Sequence, residues 1–582
     1  MRIDPKSTKA DDDKLKRQSK SEQQSSGNDV LVSDAERDEL SLSRARTMES
    51  QHSHTVGVPL AGREDISPLP PMGAGKPYPP DLLEKDGYIV EFDGADDPIH
   101  PQNWPMRTKS VLGGEQTDQQ SNMNRAIITA ILSITTFITT FASGIYAPAI
   151  STIAADYKVA PEVATLGVTL YVLGFSAGPV LWGPLSEIKG RRLPLVVAAF
   201  GTAIFHFAVA VSKDLQSIMI NRFFAGFFGT SPLAVGGAVF VDLFDNKTRG
   251  IAVTIFTLSV FIGPMFSPFI GGFIVTSHLG WRWTQYLSGI LASAAAVANF
   301  VFVHETYPPI ILARKAAELR RRTQNWAIHA KQEETEVNFH EMVERNFIRP
   351  LHMLVVEPIV LLISIYSAFI YGLLYLFLTA YPIIFQGVYG MRPGISGLPE
   401  LGAVLGCIIT GIIMVLRAPI YRRKLEANNN MPVPEWRLPE AMFGAVLFAG
   451  GMFWLGWSGY RKEVHWIVPT IGGVVTGLGI SMVFLQAFNY LIDAYLMLAA
   501  SALAANTFLR SLFGAIFPLF ASYMFKGMGI QWAMTLLGCV AALLAPVPVI
   551  FYIKGAQIRK VSKYTPKLPP PAATSKPKKE EV

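Results

Sequence analysis

Runs of apolar residues long enough to cross a lipid bilayer recur along most of this chain. A helix needs about 20 mostly apolar residues to span the hydrocarbon core of a bilayer. About twelve such runs are present, and the polar stretch from Glu305 to Glu357 divides them six and six. They begin near Ile127, Val163, Leu193, Ile218, Ile251, Leu287, Pro358, Leu398, Ala441, Trp466, Leu496 and Gln531. The pattern predicts an all-α membrane protein with two six-helix bundles.

The polar stretches divide the chain into five predicted regions. Residues 1–122 are rich in Ser, Asp, Lys, Gln and Pro and are expected to form a mostly disordered tail, because they cannot bury enough apolar surface to fold. Within this tail, Trp104 stands between prolines and is a candidate for docking against the membrane face. The other predicted regions are a six-helix bundle over 123–304, a central loop with a surface amphipathic helix over 305–356, a second bundle over 357–553, and a tail over 554–582.

Lysine and arginine are distributed unevenly among the connections between the apolar runs. Odd-numbered connections hold about one basic residue each, apart from the pair Arg461 and Lys462. Even-numbered connections and the C-terminal tail hold many more, among them Lys189, Arg191, Arg192, Lys247, Arg249, Arg314, Lys315, Arg320, Arg321, Arg322, Arg417, Arg422, Arg423, Lys424, Lys554, Arg559, Lys560 and Lys563. Basic residues concentrate in cytoplasmic loops, so both termini are predicted to be cytoplasmic. The first hundred residues carry no signal-peptide pattern, and the first run is expected to be an uncleaved anchor.

Composition narrows the possible functions. The chain has 582 residues, of which 50% are apolar and only 16% charged, whereas soluble domains carry about 25% charged residues. The net charge of +7 comes largely from loop residues that set topology, so no nucleic-acid partner is expected. The two cysteines, Cys407 and Cys539, lie in apolar runs, and no metal site is expected. A phosphate-binding P-loop and hydrolase motifs are absent, so neither an enzyme nor an ATP-driven pump is predicted.

The connection between the second and third runs, GPLSEIKGRR, has the most distinctive local spacing. Glycines permit a tight turn, and the acidic and basic side chains can form charge-assisted bonds to neighbouring helix ends. We predict a gating latch, with a basic anchor that only sets topology as the alternative. The candidate latch residues are Gly183, Glu187, Gly190, Arg191 and Arg192, with Asp242, at the end of the fourth run, expected to join the Glu187 loop.

Arg222 lies within the fourth apolar run, near its predicted external end. A buried arginine is costly in a membrane and usually faces a cavity or a partner. We therefore predict that Arg222 couples transport to protonation or contacts substrate. The alternative is that its side chain extends to the membrane interface, where water solvates the guanidinium.

The fifth run contains an unusual density of glycine and proline, at Gly263, Pro264, Gly271 and Gly272. Proline frees backbone carbonyls and kinks a helix, while glycine lets a neighbouring helix approach closely. These residues predict a hinge between the bundles, and close packing alone is the other interpretation.

A substrate cavity is expected from the first, fourth, seventh and tenth runs, near the bilayer midplane. An aromatic cavity with few charges suits bulky, partly apolar ligands, although aromatic residues in membrane helices also serve packing and interface belts. No carboxylate lies deep in the first run, so no acidic proton carrier is evident. The candidate cavity residues are Phe137, Phe141, Tyr146, Tyr371, Tyr375, Gln486, Asn489 and Tyr490.

These motifs together resemble the major facilitator superfamily, in its fungal drug:proton antiporter branch with twelve spans. The resemblance rests on the Gly183–Arg192 loop, on Arg222 with Gly226, and on the glycines and proline of the fifth run. Further similar segments are NWP at 103–105, WRW at 281–283, ETYPPIILARKA at 305–316, NYLIDAY at 489–495 and LRSLFGAIFPLFA at 509–521. The resemblance implies two bundles related by a pseudo-two-fold axis, plasma-membrane residence and a monomer. It also implies that the proton gradient, without a cofactor, drives efflux of a small organic molecule.

Two other functions remain open on the sequence. The same fold supports proton-coupled uptake, including uptake of polyamines, because fold does not determine function. The scarcity of cavity carboxylates argues against a polyamine, which would need acidic partners. A transporter-like receptor that signals through the N-terminal tail is the third hypothesis. The polar stretch Ser110–Met123 departs from the family pattern, as an insertion would.

Overall fold

The computed structural model describes residues 88–94, 97, 99–103, 118–245, 248–334, 344, 348–428, 431–495 and 498–564. Within these residues the secondary structure is helical, apart from an isolated bridge between Ile89 and His329. Trp104 and most of the predicted N-terminal tail lie outside the described residues, as do the last eighteen residues of the chain.

Twelve helices in the described part of the chain are long and apolar enough to cross a membrane, which confirms the predicted number. Spans 1 to 6 are Arg125–Asp156, Pro161–Ile188, Arg192–Val211, Leu215–Leu243, Arg249–Thr276 and Arg282–Phe302. Spans 7 to 12 are Pro358–Val388, Pro393–Ala427, Pro434–Gly459, Ile467–Tyr495, Ala499–Met528 and Ile530–Lys560. We call spans 1 to 6 the first half and spans 7 to 12 the second half.

Several spans are built from consecutive helices. Span 1 comprises Asp118–Gly144, a 3-10 turn at Ala147–Ala149 and a short helix at Ile150–Asp156. The last helix, Pro546–Val561, continues beyond the predicted boundary at 553. Likewise, the first helix begins before the predicted boundary at 123. Helical hydrogen bonding continues past the apolar core because polar side chains beyond it support the helix equally well in water.

The two halves pack in the same way. In the first half, span 1 packs against span 5, span 2 against span 4, and span 3 against span 6. In the second half, the equivalent pairs are spans 7 and 11, spans 8 and 10, and spans 9 and 12. Between the halves, span 2 meets span 11 and span 5 meets span 8. The architecture is therefore the expected pair of six-helix bundles with pseudo-two-fold symmetry.

Successive spans alternate in direction, so the even-numbered connections and the end of span 12 lie on one side of the molecule. We call this side the basic face, because it carries Arg191, Arg192, Arg423, Lys424 and Arg559. The other side is called the opposite face. The basic face is the one that the sequence predicts to be cytoplasmic.

The halves approach each other most closely toward the opposite face. A Cβ atom added to Gly272 of span 5 would lie 2.6 Å from the main-chain oxygen of Pro393, at the start of span 8. One added to Gly397 would lie 2.7 Å from the Cα atom of Phe269. We call this contact between spans 5 and 8 the opposite-face seam. Only glycine permits such an approach, because any side chain would separate the two backbones.

The predicted amphipathic helix of the central loop is present at Pro308–Thr323. Part of the N-terminal tail packs on it, since the Val90 N–H donates to the His329 carbonyl at 2.9 Å. Val90 is buried with Ala316 and Leu319 in a small apolar cluster. The described segment 88–94 is thus folded against the central loop, where Lys315 Nζ also donates to the Glu91 carbonyl at 3.2 Å.

Candidate functional site

Arg222 on span 4 is fully buried in the centre of the first half. Its guanidinium donates hydrogen bonds to the main-chain oxygens of Gly167 (2.9 Å), Ala142 (3.0 Å) and Ser143 (3.2 Å). The guanidinium also lies over the rings of Tyr146 (4.8 Å) and Tyr171 (4.3 Å). Carbonyl dipoles and aromatic faces therefore solvate the charge. The side chain does not reach a membrane interface, which argues against the alternative of interfacial solvation.

A polar chain connects Arg222 to a second buried arginine, in the other half. The Ser143 hydroxyl, next to the carbonyl that Arg222 binds, lies 2.8 Å from the Tyr375 hydroxyl. The Tyr375 ring packs against Tyr371 with centroids 5.2 Å apart. Arg510 of span 11 lies over the Tyr371 ring at 5.1 Å. Three side chains, those of Ser143, Tyr375 and Tyr371, therefore lie between the two buried arginines.

The predicted cavity residues lie in separate places. Phe137 and Phe141 stack on each other at 5.8 Å, and both pack against Phe266 of span 5. Tyr146 contacts Arg222, and Tyr371 and Tyr375 belong to the polar chain between the arginines. Of the candidates on spans 1 and 7, the structure thus places Phe137 and Phe141 against span 5, and Tyr146, Tyr371 and Tyr375 along the path between the two arginines. It does not gather all eight candidates around one cavity.

Gln486 and Asn489 of span 10 line a pocket between the halves. Tyr490 is not among its lining residues and instead stacks on Phe551 of span 12, with centroids 5.9 Å apart. Tyr490 follows Asn489 directly and points about 100° away from it around the helix axis, toward span 12.

The pocket lies at the basic-face ends of spans 5, 8, 9 and 10 and is partly open to solvent. Span 5 contributes Gly250, Ile251 and Thr254, while the second half contributes apolar and polar side chains, including Met414 and Gln486. The Gln486 amide donates to the Met414 sulfur at 3.0 Å, and its carbonyl oxygen has no protein partner in the described part of the chain. Four charged residues complete the lining, Arg417, Lys424, Arg437 and Glu440.

The predicted latch forms an ion pair at the basic face. Arg191 Nε lies 3.1 Å from Asp242 Oδ2, and the same guanidinium donates to the Ser186 hydroxyl at 2.8 Å. Asp242 was expected to join this loop, and in the structure it does so through Arg191. The Glu187 main-chain oxygen accepts a hydrogen bond from Gln332 of the central loop at 3.1 Å. The latch therefore connects the turn, the end of span 4 and the central loop.

Glu305, just after span 6, receives the main chain of the turn. Its carboxylate accepts hydrogen bonds from the N–H groups of Arg191 (2.7 Å) and Arg192 (3.3 Å). Gly190 has a φ of +89°, and a Cβ atom there would lie 2.1 Å from Glu305 Oε2. Glycine is required at this position both by its backbone conformation and by the carboxylate. By contrast, a Cβ atom on Gly183 would have no neighbour within 4 Å.

The glycines of span 5 are close-packing positions. A Cβ atom on Gly263 would lie 2.1 Å from Thr140 Oγ1, and one on Gly271 would lie 2.8 Å from the Ile145 carbonyl. Gly272 forms part of the opposite-face seam, and Pro264 lies inside the same helix. Three glycines thus hold span 5 against span 1 and span 8. This contact supports the packing interpretation, and the hinge remains a prediction.

Comparison with known proteins decides the family. The sequence profile of the Major Facilitator Superfamily matches residues 132–518, which is more than half of the chain. The chain belongs to the major facilitator superfamily. This membership makes it a membrane-spanning transporter rather than an enzyme.

Curated relatives and solved structures agree with this assignment. The major facilitator superfamily multidrug transporter FLU1 of Candida albicans is 46% identical over 534 residues, covering 90% of this chain and 85% of the relative. The multidrug transporter TPO1_2 of Candida glabrata is 46% identical over 527 residues, covering 90% and 88%. The fold is also similar to that of the xylose transporter XylE from E. coli, with a TM-score of 0.53, 18% identity and coverage of 74% and 97%.

Sequence reasoning missed two acidic residues of this transporter. Glu305 was noted as the start of the central polar stretch and of the segment ETYPPIILARKA but was given no role in the latch, because its partners are main-chain groups that leave no pattern in the sequence. Glu400 was placed in the apolar run that begins near Leu398 and was not singled out. A single carboxylate among apolar residues was the available signal for Glu400, since such residues in membrane spans are costly and often functional.

Proposed function

We propose that this transporter exports drugs or other small, partly apolar organic molecules, and that proton entry drives the export. The main structural support for this proposal is the pocket between the halves, whose lining combines apolar side chains with a Gln486 amide oxygen that has no hydrogen-bond partner among the described residues. Such mixed linings accept bulky ligands of varied structure. Relatives that cover most of this chain and are described as multidrug transporters support the same function.

The charges around the pocket indicate which substrates it accepts. Arg417, Lys424 and Arg437 line it against a single carboxylate, Glu440. Arg417 already pairs with Glu440 at 2.9 Å. Arg437 pairs with Asp493 at 3.0 Å, so the excess positive charge that a polyamine would meet here is that of Lys424, which disfavours a polycation. Neutral or anionic organic molecules are the substrates that this lining favours.

The pocket opens at the basic face, while the halves meet closely at the opposite face. Export requires loading from the cytoplasm, so we place the basic face on the cytoplasmic side of the plasma membrane. The excess of arginine and lysine on this face supports that orientation, with both termini cytoplasmic. Exposed apolar side chains such as Ile204, Leu416 and Ile553 are suited to lipid contact, and a monomer suffices for this arrangement.

Efflux of a fluorescent hydrophobic dye tests the proposal. Cells that express the transporter should lose the dye faster than control cells, and a protonophore should stop the difference. If dye loss continued after collapse of the proton gradient, proton coupling would be excluded. If the transporter accelerated dye entry instead, the direction would be uptake, and the second hypothesis from the sequence would replace export.

Arg222 is the residue to test for coupling. Arg222→Ala removes the guanidinium that binds the Ser143 carbonyl, and the Ser143 hydroxyl in turn contacts the Tyr375 hydroxyl. Export by this variant should fall below detection. Arg222→Lys keeps the charge but cannot reproduce three planar hydrogen bonds, so export should drop more than about tenfold. Arg461→Ala, at an exposed arginine on the opposite face, is the control and should export normally. Normal export by Arg222→Ala at equal surface level would exclude a coupling role.

A further inference from the structure

One carboxylic acid in the membrane-spanning part lies buried without a hydrogen-bond partner among the described residues. Glu400 ends the turn Leu398–Glu400, at the start of the long helix of span 8. Its side chain is 1% exposed, and both Oε1 and Oε2 are unpartnered. Asp242 and Asp493, in contrast, each pair with an arginine at the basic face. Glu400 is therefore unlike the acids that serve as structural ion pairs.

No charged group faces Glu400 from the elements that pack against it. Spans 5 and 10 and the helix Pro393–Ser396 pack on the turn that holds Glu400, and the Tyr381 side chain of span 7 also interacts with this carboxyl group. Residues 261–276 of span 5, residues 467–480 of span 10 and this helix contain no ionisable side chain. On span 8 itself, the next ionisable group is the Cys407 thiol, two turns away. The surroundings offer an ionised carboxylate no compensation.

The Tyr381 hydroxyl of span 7 interacts electrostatically with Glu400. This hydroxyl also has no hydrogen-bond partner among the described residues. A Cβ atom added to Gly473 would lie 2.5 Å from this hydroxyl oxygen and 3.9 Å from the amide nitrogen of Ala403. The hydroxyl thus reaches the first turn of span 8. A phenol can donate one hydrogen bond but brings no positive charge.

Burying an ionised carboxylate without a positive partner is so unfavourable that such groups take up a proton instead. Glu400 is therefore neutral in the arrangement described here. It follows Gly397 of the opposite-face seam by three residues, and Gly397 packs on the Phe269 backbone. When the seam closes, it removes Glu400 from water. When the seam opens, water from the opposite face can reach the carboxyl group.

We propose that Glu400 is the proton-binding site of the opposite-face seam, and that the seam closes only after Glu400 has taken a proton from that side. The carboxylate accepts the proton of a hydronium ion, and a water molecule leaves. The neutral acid can then enter the apolar interior, whereas the carboxylate keeps the seam open and hydrated. The inference rests on the proposed proton coupling and names the residue that performs the uptake.

The test compares purified transporter in liposomes as the pH on the opposite-face side is raised. A single ionising group lowers the fraction able to close about tenfold per pH unit once it ionises, and dye transport by the unmodified transporter should fall accordingly. Glu400→Gln, which is always neutral, should lose this dependence. Glu463→Gln, at an exposed carboxylate on the same face, is the matched control and should keep it.

The possible outcomes separate the two proposals. If Glu400→Gln retained the pH dependence of the unmodified transporter, Glu400 would not be the site, and proton coupling would stand. If the unmodified transporter itself showed neither pH dependence nor sensitivity to a protonophore, the proposed coupling and this inference would both fail.

A labelling experiment reads the seam directly and does not need transport. Ser396, 3% exposed beside the seam, is replaced by Cys in a Cys407→Ser, Cys539→Ser background. A membrane-impermeant maleimide is then applied to intact cells. With Glu400 present, labelling should rise with external pH as the seam opens, and with Glu400→Gln it should stay low. Equal labelling of the two at every pH would overturn the proposal.

Discussion

The two halves of this transporter place an ion pair at equivalent positions of the basic face but build it differently. In the first half, Arg191 pairs with Asp242 at the end of span 4. In the second half, Arg437 pairs with Asp493 near the end of span 10, at 3.0 Å. Span 10 occupies in the second half the place of span 4 in the first, so the pairs are related by the pseudo-two-fold axis.

The difference lies in what holds each arginine. Arg191 sits in a tight turn whose main chain is bound by Glu305 and whose conformation requires Gly190. Arg437 is held by side chains, with its guanidinium 3.6 Å from the Tyr421 ring centroid and the Tyr421 hydroxyl donating to Asp493. A latch built on main-chain geometry demands a fixed spacing, whereas one built on side chains does not. The sequence pattern is therefore recognisable in the first half only.

The largest expected effect comes from breaking the main-chain part of the first latch. Gly190→Ala forces an L-residue into a φ of +89° and places Cβ against the Glu305 carboxylate. We expect a loss of more than about 2 kcal/mol of stability and little remaining dye export. Gly183→Ala, where Cβ meets open space, is the control and should stay within about 0.5 kcal/mol. Thermal unfolding in detergent measures both, and equal effects would show that the turn geometry does not matter.

The next effect compares the two acids directly. Asp493→Asn leaves Arg437 without a charged partner at a site where the Asp493 side chain is 3% exposed, while the Asp242 side chain is 11% exposed. Breaking a buried pair costs about 3–5 kcal/mol, and partial exposure reduces this. We expect about 2–3 kcal/mol for Asp493→Asn and about 1–2 kcal/mol for Asp242→Asn, measured by thermal unfolding. If Asp242→Asn cost more stability than Asp493→Asn, the Arg437–Asp493 pair would be the weaker of the two.

The smallest effect on transport comes from two carboxylates that bind main-chain N–H groups. Glu305 binds the latch, while Glu357, before span 7, accepts hydrogen bonds from the N–H groups of Lys563 (2.9 Å) and Tyr564 (3.3 Å). Replacing either with Gln should cost about 1–2 kcal/mol of stability. If the latch is the predicted gate, Glu305→Gln should slow export several-fold, because it loosens the hold on the turn.

Glu357→Gln should leave export nearly unchanged and speed trypsin cleavage at Lys563, because it frees the end of the chain from span 7. Cleavage rates on purified protein and dye efflux from cells measure the two consequences separately. A loss of export in Glu357→Gln equal to that in Glu305→Gln would show that the C-terminal anchor also belongs to the gate.

Most of the fold was predictable from the sequence, because each span has to satisfy its backbone hydrogen bonds within its own helix and present apolar side chains to lipid. The twelve runs, their division after span 6 and the charge bias follow from local composition. The boundaries were less accurate, as the continuation of the last helix to Val561 shows. The folding of Val90 against the central loop was not predictable, since it depends on contacts between residues that lie far apart in the chain.

The candidate site was predictable only in part. Arg222 stood out because an arginine in an apolar run is costly wherever it points. Gln486 and Asn489 line the pocket, but the neighbouring Tyr490 packs against span 12, and nothing in the local sequence distinguishes the two directions. Which aromatic residues face a cavity depends on the rotation of each helix within its bundle.

The sequence by itself determined the number of spans, their division six and six, the family and the latch turn, because each of these depends on local residue type and spacing. Only the tertiary structure decided that Arg222 is solvated by three carbonyls, that Asp242 meets Arg191 and that Glu305 binds the turn. It also decided that Glu400 is buried beside the opposite-face seam, with no hydrogen-bond partner for its carboxyl group among the described residues. These contacts join residues far apart in the chain, and their energies depend on burial and distance, which residue order does not specify.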